Sequence, residues 1–161
     1  MHHTDVIIEI PEKDFYYNPQ SIPELIDYAL RDKLALKKGI DKRVDIYGGL
    51  NVIPEYAIPA FQYVKYYFNA TVGEQFKHII VSFRKYVPPS FVEAMAYKIG
   101  YCFARKYQVV FGVHKDAKNS IHIHYIINTT NFHDGSRLVF NEGDILELRH
   151  RIFSIASRYV C

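Results

Sequence analysis

The sequence predicts an α+β fold with a central, mainly antiparallel β-sheet flanked by helices. Three observations carry that expectation. Two β-rich runs, 107–114 (YQVVFGVH) and 121–128 (IHIHYIIN), are separated by six residues; a parallel crossover needs a dozen or more, so the pair forms an antiparallel hairpin. Stretches with apolar residues at helical spacing alternate with the β-rich runs. No repeat or linker-like tract divides the 161 residues, which is about the length of one ordinary domain.

Residues 4–10 (TDVIIEI) read as a short first strand, stopped by Pro11. Residues 14–19 form a loop. Ser21 caps a helix, with Pro23 in its first turn and Glu24 three residues after the cap. The helix runs through 23–36 (PELIDYALRDKLAL), places Leu25, Tyr28 and Ala29 on one face, and is stopped by Gly39. Residues 43–52 (RVDIYGGLNV) are a second extended segment, broken by Gly48 and Gly49. Pro54 starts a helix through 55–70, in which Pro59 either fits an early turn or marks a restart; Gly73 ends that stretch. Residues 76–83 (FKHIIVSF) are a strand with a β-branched centre. Pro88, Pro89 and Ser90 open a helix over 90–106. After the hairpin come a turn at 133–136 with an Asp134-Gly135 pair, a short strand at 137–140 and a final helix at 144–159.

Composition narrows the function classes. Hydrophobic residues are 49% and charged residues 23% of the chain, the range of a folded protein rather than a disordered one. No apolar run approaches the roughly 20 residues that span a bilayer, and no basic patch with a long apolar block opens the chain. Two cysteines, Cys102 and Cys161, make neither a disulfide framework nor a Cys-rich zinc module, so a reducing, cytoplasmic setting is expected. The net charge of +3 is too mild to establish nucleic-acid binding by itself. Tyrosine is abundant, with 14 copies; surface Tyr stacks on unpaired bases, although most of these belong to a core.

The strongest chemical signal is 114–128 (HKDAKNSIHIHYIIN). His122 and His124 are two apart on a strand and so share a face. With the turn centred near Ala117 and Lys118, His114 pairs close to Ile121 or His122. Cross-strand neighbours lie about 5 Å apart, so three imidazoles can meet. Three neutral nitrogens with open positions describe a catalytic metal site, where a divalent ion acts as a Lewis acid. The ordinary alternative for each is a surface or hydrogen-bonded core histidine. Asp116 either orients an imidazole or simply forms the turn. A cupin also carries His-x-His on a strand, but Asn128 stands where its following Glu belongs, and the long helices do not suit that all-β fold.

The run His114–Asp116–His122–His124, continuing as YIINTTNFHDGSRL, resembles the three-histidine motif of plasmid mobilisation relaxases of the MobA/MobL type, within the HUH endonucleases. The segment ELIDYALRD resembles the family's first motif, in which an early helix carries the nucleophilic tyrosine; the match falls on Tyr28. The likeness extends over roughly 20–140. It implies a single nicking domain over 1–161 that cuts and religates one DNA strand at a transfer origin through a 5′-phosphotyrosyl intermediate. It further implies a divalent metal, Mn or Mg, on His114, His122 and His124, with Asp116 behind them. The implied partners are single-stranded DNA at a transfer origin and accessory mobilisation proteins, with no membrane.

Other readings stay open. Rolling-circle initiators and transposases of the HUH class place their tyrosine after the His motif, where Tyr159 is the candidate. A non-catalytic DNA-binding relic of the fold is another. Tyr16 and Tyr17 compete with Tyr28 from the preceding loop. Asp27 is not taken as the base for Tyr28, because consecutive helical residues point about 100° apart. Lys42 and Arg43, with Lys33, Lys37 and Lys38, are candidate phosphate contacts, as are Arg84 and Lys85; a solvated charged turn is the alternative. His78 orients a phosphate if its strand adjoins the hairpin, and is otherwise a satisfied core residue. His2, His3, His133 and His150 read as structural or surface residues.

Overall fold

Runs of β-branched and aromatic residues build the sheet. In the computed structural model, which describes residues 5–116, 118 and 120–160, five strands pair: β1 (Val6–Glu9), β2 (Tyr47–Leu50), β3 (Phe76–Phe83), β4 (Val109–Lys115) and β5 (Ile121–Asn128). Their order is β1-β3-β5-β4-β2, and every pairing is antiparallel. Thr4, His2, His3, Ala117 and Cys161, on which some expectations fell, lie outside the described residues. The helices are α1 (Ile22–Leu30), α2 (Lys33–Lys37), α3 (Ala57–Tyr67), α4 (Pro89–Gly100) and α5 (Glu142–Ala156).

β3, β4 and β5 are buried along nearly their whole length, because helices cover both faces of the sheet. On one face Ile79, Val81, Phe111, Ile123 and Tyr125 meet Met95 and Ile99 of α4 and Ile152 of α5. On the other, Phe76, Val110 and Ile126 meet Leu25, Ile26 and Ala29 of α1 and Phe61 of α3. Side-chain alternation makes the second face the one that carries His78, His114, His122 and His124. No helix among the described residues is long and apolar enough to cross a membrane.

Several local expectations are corrected. The helix over 23–36 is two helices: Arg31 turns extended and bridges Arg43, and the Asp32 side chain accepts from Ala35 N to cap α2. Ser21 does not act as the cap, since its own backbone is already helical; the Asn18 side chain accepts from Gln20 N one turn earlier. The predicted loop 14–19 winds into 3-10 turns over Asp14–Tyr17 and Pro19–Ser21. Gly48 and Gly49 lie inside β2 instead of breaking it, and a Cβ on Gly48 would collide with Tyr97 and Phe111. The helix from Pro54 begins as a 3-10 turn and continues as α3, with Pro59 inside the first turn, where no amide hydrogen is missed. α4 stops at Gly100, packed against Leu50, short of the predicted 106. Residues 137–140 form only an isolated bridge, Thr130 to Arg137, because Leu138 and Phe140 lie partly buried against the core instead of extending the sheet. The last helix starts earlier, at Glu142, through a reciprocal capping box between Asn141 and Asp144.

Candidate active site

The site is assembled by register. β4 and β5 pair His114 directly with His122, and β3 sets Ser82 opposite His122 and Ile80 opposite His124. Steps of two along each strand keep His78, Ser82, His114, His122 and His124 on one face. The ring centroids of His114 and His124 are 4.6 Å apart, and those of His78 and His124 5.2 Å.

α1 brings the tyrosine onto this face. Gly112 lies beneath the end of α1, where a Cβ would collide with the Ala29 carbonyl oxygen. That close approach puts the Ala29 carbonyl, one of the last-turn acceptors that a helix leaves unpaired, 2.7 Å from His114 Nε2, which donates to it. Tyr28, the preceding residue, then spreads over the histidines. Its ring lies 5.5 Å from His124 and 6.1 Å from His78, edge-on to each, and 6.4 Å from His114, nearly parallel. The Lys33 ammonium caps the Tyr28 ring at 3.5 Å from its centroid. Tyr28 keeps 42% exposure. Beside it opens a cleft of about 480 Å³ lined by Lys33, Lys37, Lys115, His114, His122 and His124 among others.

Burial is the main electrostatic influence. It lowers His78 to about 4 and His124 to about 2, with nearby lysines and histidines acting in the same direction. His114 is also lowered by burial, against the opposing pull of its bond to Ala29. These imidazoles are therefore neutral at physiological pH, the form that ligates a metal or accepts a proton.

Asp116 forms the turn and stands near one of the histidines. Its Oδ1 accepts from Lys118 N and Ser120 N and shapes the turn, while Oδ2 stands 3.6 Å from His122 Nε2. The Ser120 amide is the main reason its carboxyl titrates below the usual range. His122 Nδ1 is hydrogen-bonded to Ser82 Oγ at 2.9 Å.

The donor set fits a divalent ion in its chemistry. His114, His122 and His124 are imidazoles on one face, each oriented through one ring nitrogen by a neighbour, as metal-binding histidines commonly are. Among the described residues, no three His, Cys, Asp or Glu side chains form a ready-made metal-holding group.

The remaining candidates fall in different places. Tyr16 is 1% exposed and bonds His78 through its hydroxyl, so it does not reach the cleft as a second nucleophile; Tyr17 is exposed. Tyr159 packs against Phe91 and the core of the opposite sheet face, away from the histidines. Lys42 pairs with Asp45 and Asp32, and Arg43 with Glu55. Arg84 is exposed just beyond β3. His133 and His150 are exposed, and Cys102 is a free thiol. His78 joins the cluster directly, which its sequence signal left open until the register of β3 on β5 was known. The Lys33–Tyr28 contact left no sequence signal: five residues apart on a continuous helix, the two point about 140° apart, and only the break at Arg31 lets them meet.

A family model for the nuclease domain of MobA/VirD2-like relaxases matches residues 28–159. No protein with a curated description matches the chain. A structure solved in work on the molecular basis of vancomycin resistance transfer in Staphylococcus aureus superposes with a TM-score of 0.62, covering 95% of this chain and 90% of its own, at 13% identity. At that identity the likeness shows the shared fold.

Proposed function

We infer the function from one premise: this chain belongs to the MobA/VirD2-like relaxase nuclease family. It is accordingly a DNA endonuclease of the transesterase kind, acting in mobilisation. We propose that 1–161 works as a single nicking domain in the cytoplasm and that Tyr28 is its nucleophile. Tyr28 Oη attacks the scissile phosphorus in line, the bond from phosphorus to the 3′-oxygen breaks, and a 5′-phosphotyrosyl enzyme and a free 3′-OH result. The proton lost by the phenol balances the one taken up by the 3′-oxygen. Because the phosphodiester energy is kept in the tyrosyl ester, a 3′-OH can reverse the step and religate.

The observation that carries this reading is the Tyr28 ring lying over neutral histidines at the edge of an open cleft. His114, His122 and His124 are the residues that would hold a divalent ion, Mn²⁺ or Mg²⁺, and such an ion would supply positive charge against the non-bridging oxygens of the phosphate. Lys33 adds charge of the same sign from the chain itself. Asp116 steadies the His122 ring. Lys42, Arg43 and Arg84 are assigned to flanking DNA phosphates, the first two by exchanging their carboxylate partners for the backbone. The substrate is single-stranded DNA at a transfer origin, with accessory mobilisation proteins as further partners. Tyr159, the tyrosine that a rolling-circle or transposase reading needs, lies on the wrong face for the same histidines.

The test is a covalent-adduct assay with the strand of the native transfer origin and Mn²⁺ or Mg²⁺, read on a denaturing gel. A metal-dependent adduct is expected, absent in Tyr28→Phe and His122→Ala. An adduct that survives Tyr28→Phe moves the nucleophile to Tyr17. No adduct on a verified origin strand leaves a DNA-binding relic.

A further inference from the structure

Four tyrosines in and just before α3 belong to neither apolar layer. The buried face of α3 is Ala57, Phe61, Val64 and Lys65. On its other side, helical spacing gathers Tyr63, Tyr66 and Tyr67 on one face, with Tyr56 at the N-terminal end. The four side chains are 65–71% exposed. A cluster of large rings left open to water is ordinarily a binding surface.

The rings form a ladder. Tyr63 and Tyr67 lie nearly parallel, with centroids 6.1 Å and planes 29° apart. Tyr67 meets Phe68 edge-on at 4.8 Å. Phe68 in turn packs against Gly135, where a Cβ would collide with its ring. The ladder ends at a cleft of about 320 Å³ lined by Phe68, Asn69, Thr130 and Arg137 among others. Arg137 is exposed, donates to the Val72 carbonyl and, among the described residues, pairs with no carboxylate. Glu74, the acidic residue of that cleft, is engaged by Lys77 at 2.9 Å.

Flat rings in series with a guanidinium at one end match a strand of unpaired bases. Each base has a π-face to lay on a ring, and a phosphate suits the guanidinium. The ladder is also continuous with the reaction site. Tyr28 and Arg31 line one groove, and Arg31 and Arg43 line the next. Arg43 lies over the Tyr47 ring and pairs with Glu55, the residue before Tyr56. Arg31 and Arg43 are held by Asp41 and Glu55, so along this path the rings supply more of the grip than charge does.

We propose that the outer face of α3, ending at Arg137, is a second binding site for single-stranded DNA, on which successive bases stack outside the cleft beside Tyr28. The proposal rests on the reading of the protein as an enzyme that nicks one DNA strand. It adds the place where that strand is held beyond the reacting phosphate.

The test uses the full chain without metal and a short fluorescent dT homopolymer, read by anisotropy across a range of salt. Replacing both Tyr63→Leu and Tyr67→Leu is expected to weaken binding about tenfold or more and to leave the salt slope as it is. Replacing both Tyr63→Phe and Tyr67→Phe keeps the rings and is expected to keep the affinity. Arg137→Gln is expected to lower the slope of log affinity on log salt by about 0.7, the share of one phosphate on a single strand. Photocrosslinking of wild-type protein to the same strand carrying 5-iododeoxyuridine needs no variant and is expected to mark the peptide 57–67. Wild-type affinity in the double Leu variant overturns the proposal, as do Phe variants as weak as the Leu ones and crosslinks confined to other peptides. A dimer in sedimentation that the Leu variants abolish, with dT affinity unchanged, makes the face an interface between two copies and overturns it too. The adduct assay on the origin strand separates this proposal from the nicking reading. An adduct without dT contacts on α3 sinks only the second site; α3 contacts without an adduct sink only the nicking reading.

Discussion

Tyr28 differs from the other tyrosines in what surrounds its ring: three imidazoles beneath and an ammonium above. The Lys33 contact sets a positive charge against the Tyr28 ring, and on the proposed mechanism that is beside the point of attack. Replacing Lys33 with Met is expected to slow adduct formation about tenfold, in line with a cation–π contact worth 1–2 kcal/mol; Lys33→Arg should restore part of it. Single-turnover adduct rates at saturating metal check this. A second residue, Lys65, titrates far from the site. It is 1% exposed, and among the described residues its ammonium hydrogen-bonds the hydroxyls of Thr129 and Thr130. Burial, helped by Arg137 and opposed by Glu74, lowers it from 10.5 to about 7. Between those values the unfolded chain holds one proton more than the folded one, so this group makes stability rise with pH through that window. Below pH 7 both states are charged and its slope vanishes. Thermal unfolding at pH 7 and pH 9.5 is expected to show that rise in the wild type, on the order of a few kcal/mol over the full window, and to lose it in Lys65→Met.

At the scale of elements, the contact between α1 and β4 decides where Tyr28, the proposed nucleophile, stands. Gly112 permits it, the buried Ala29 fills it, and the His114–Ala29 hydrogen bond closes it. Gly112→Ala forces α1 off the sheet. It is expected to cost about 1–3 kcal/mol of stability, as overpacking does, and to reduce adduct formation by more than the loss of folded protein explains. Denaturant unfolding and adduct rates on the same samples separate the two. The break between α1 and α2 is a second such device. Asp32 caps α2 and receives Lys42, and this cap sets the direction from which Lys33 meets Tyr28. Asp32→Ala is expected to cost about 1 kcal/mol and to slow the nicking step as Lys33→Met does, read in the same two assays.

At the scale of the molecule, one sheet carries two apolar layers. Ile26 sits in the layer under α1 and Ile99 in the layer under α4. Since β3, β4 and β5 belong to both, neither layer can open without the other. Ile26→Ala and Ile99→Ala are each expected to cost about 2–5 kcal/mol and to lower the same single transition, with circular dichroism and tyrosine fluorescence coinciding. Two separated transitions would contradict a single cooperative unit.

The hairpin was legible in the sequence, because six connecting residues are too few for a parallel crossover and alternation fixes the face; it put His114 close to Ile121 or His122, and the register of the strands selected His122. The antiparallel sheet and the order of most elements followed from periodicity, and Tyr28 followed from a motif resemblance. Other features depended on contacts between residues far apart in the chain. His78 entered the site through the register of β3 on β5, a pairing across more than forty residues. Tyr16 passed from rival nucleophile to buried partner of His78 because Phe76 and the 3-10 turn enclose it. The helix read as continuous over 23–36 was broken by a side-chain cap and a bridge to Arg43. Local propensity and spacing determine which residues form strands and helices and which share a face. Which faces meet is settled only by packing, because the apolar surface buried by one pairing is lost to any other.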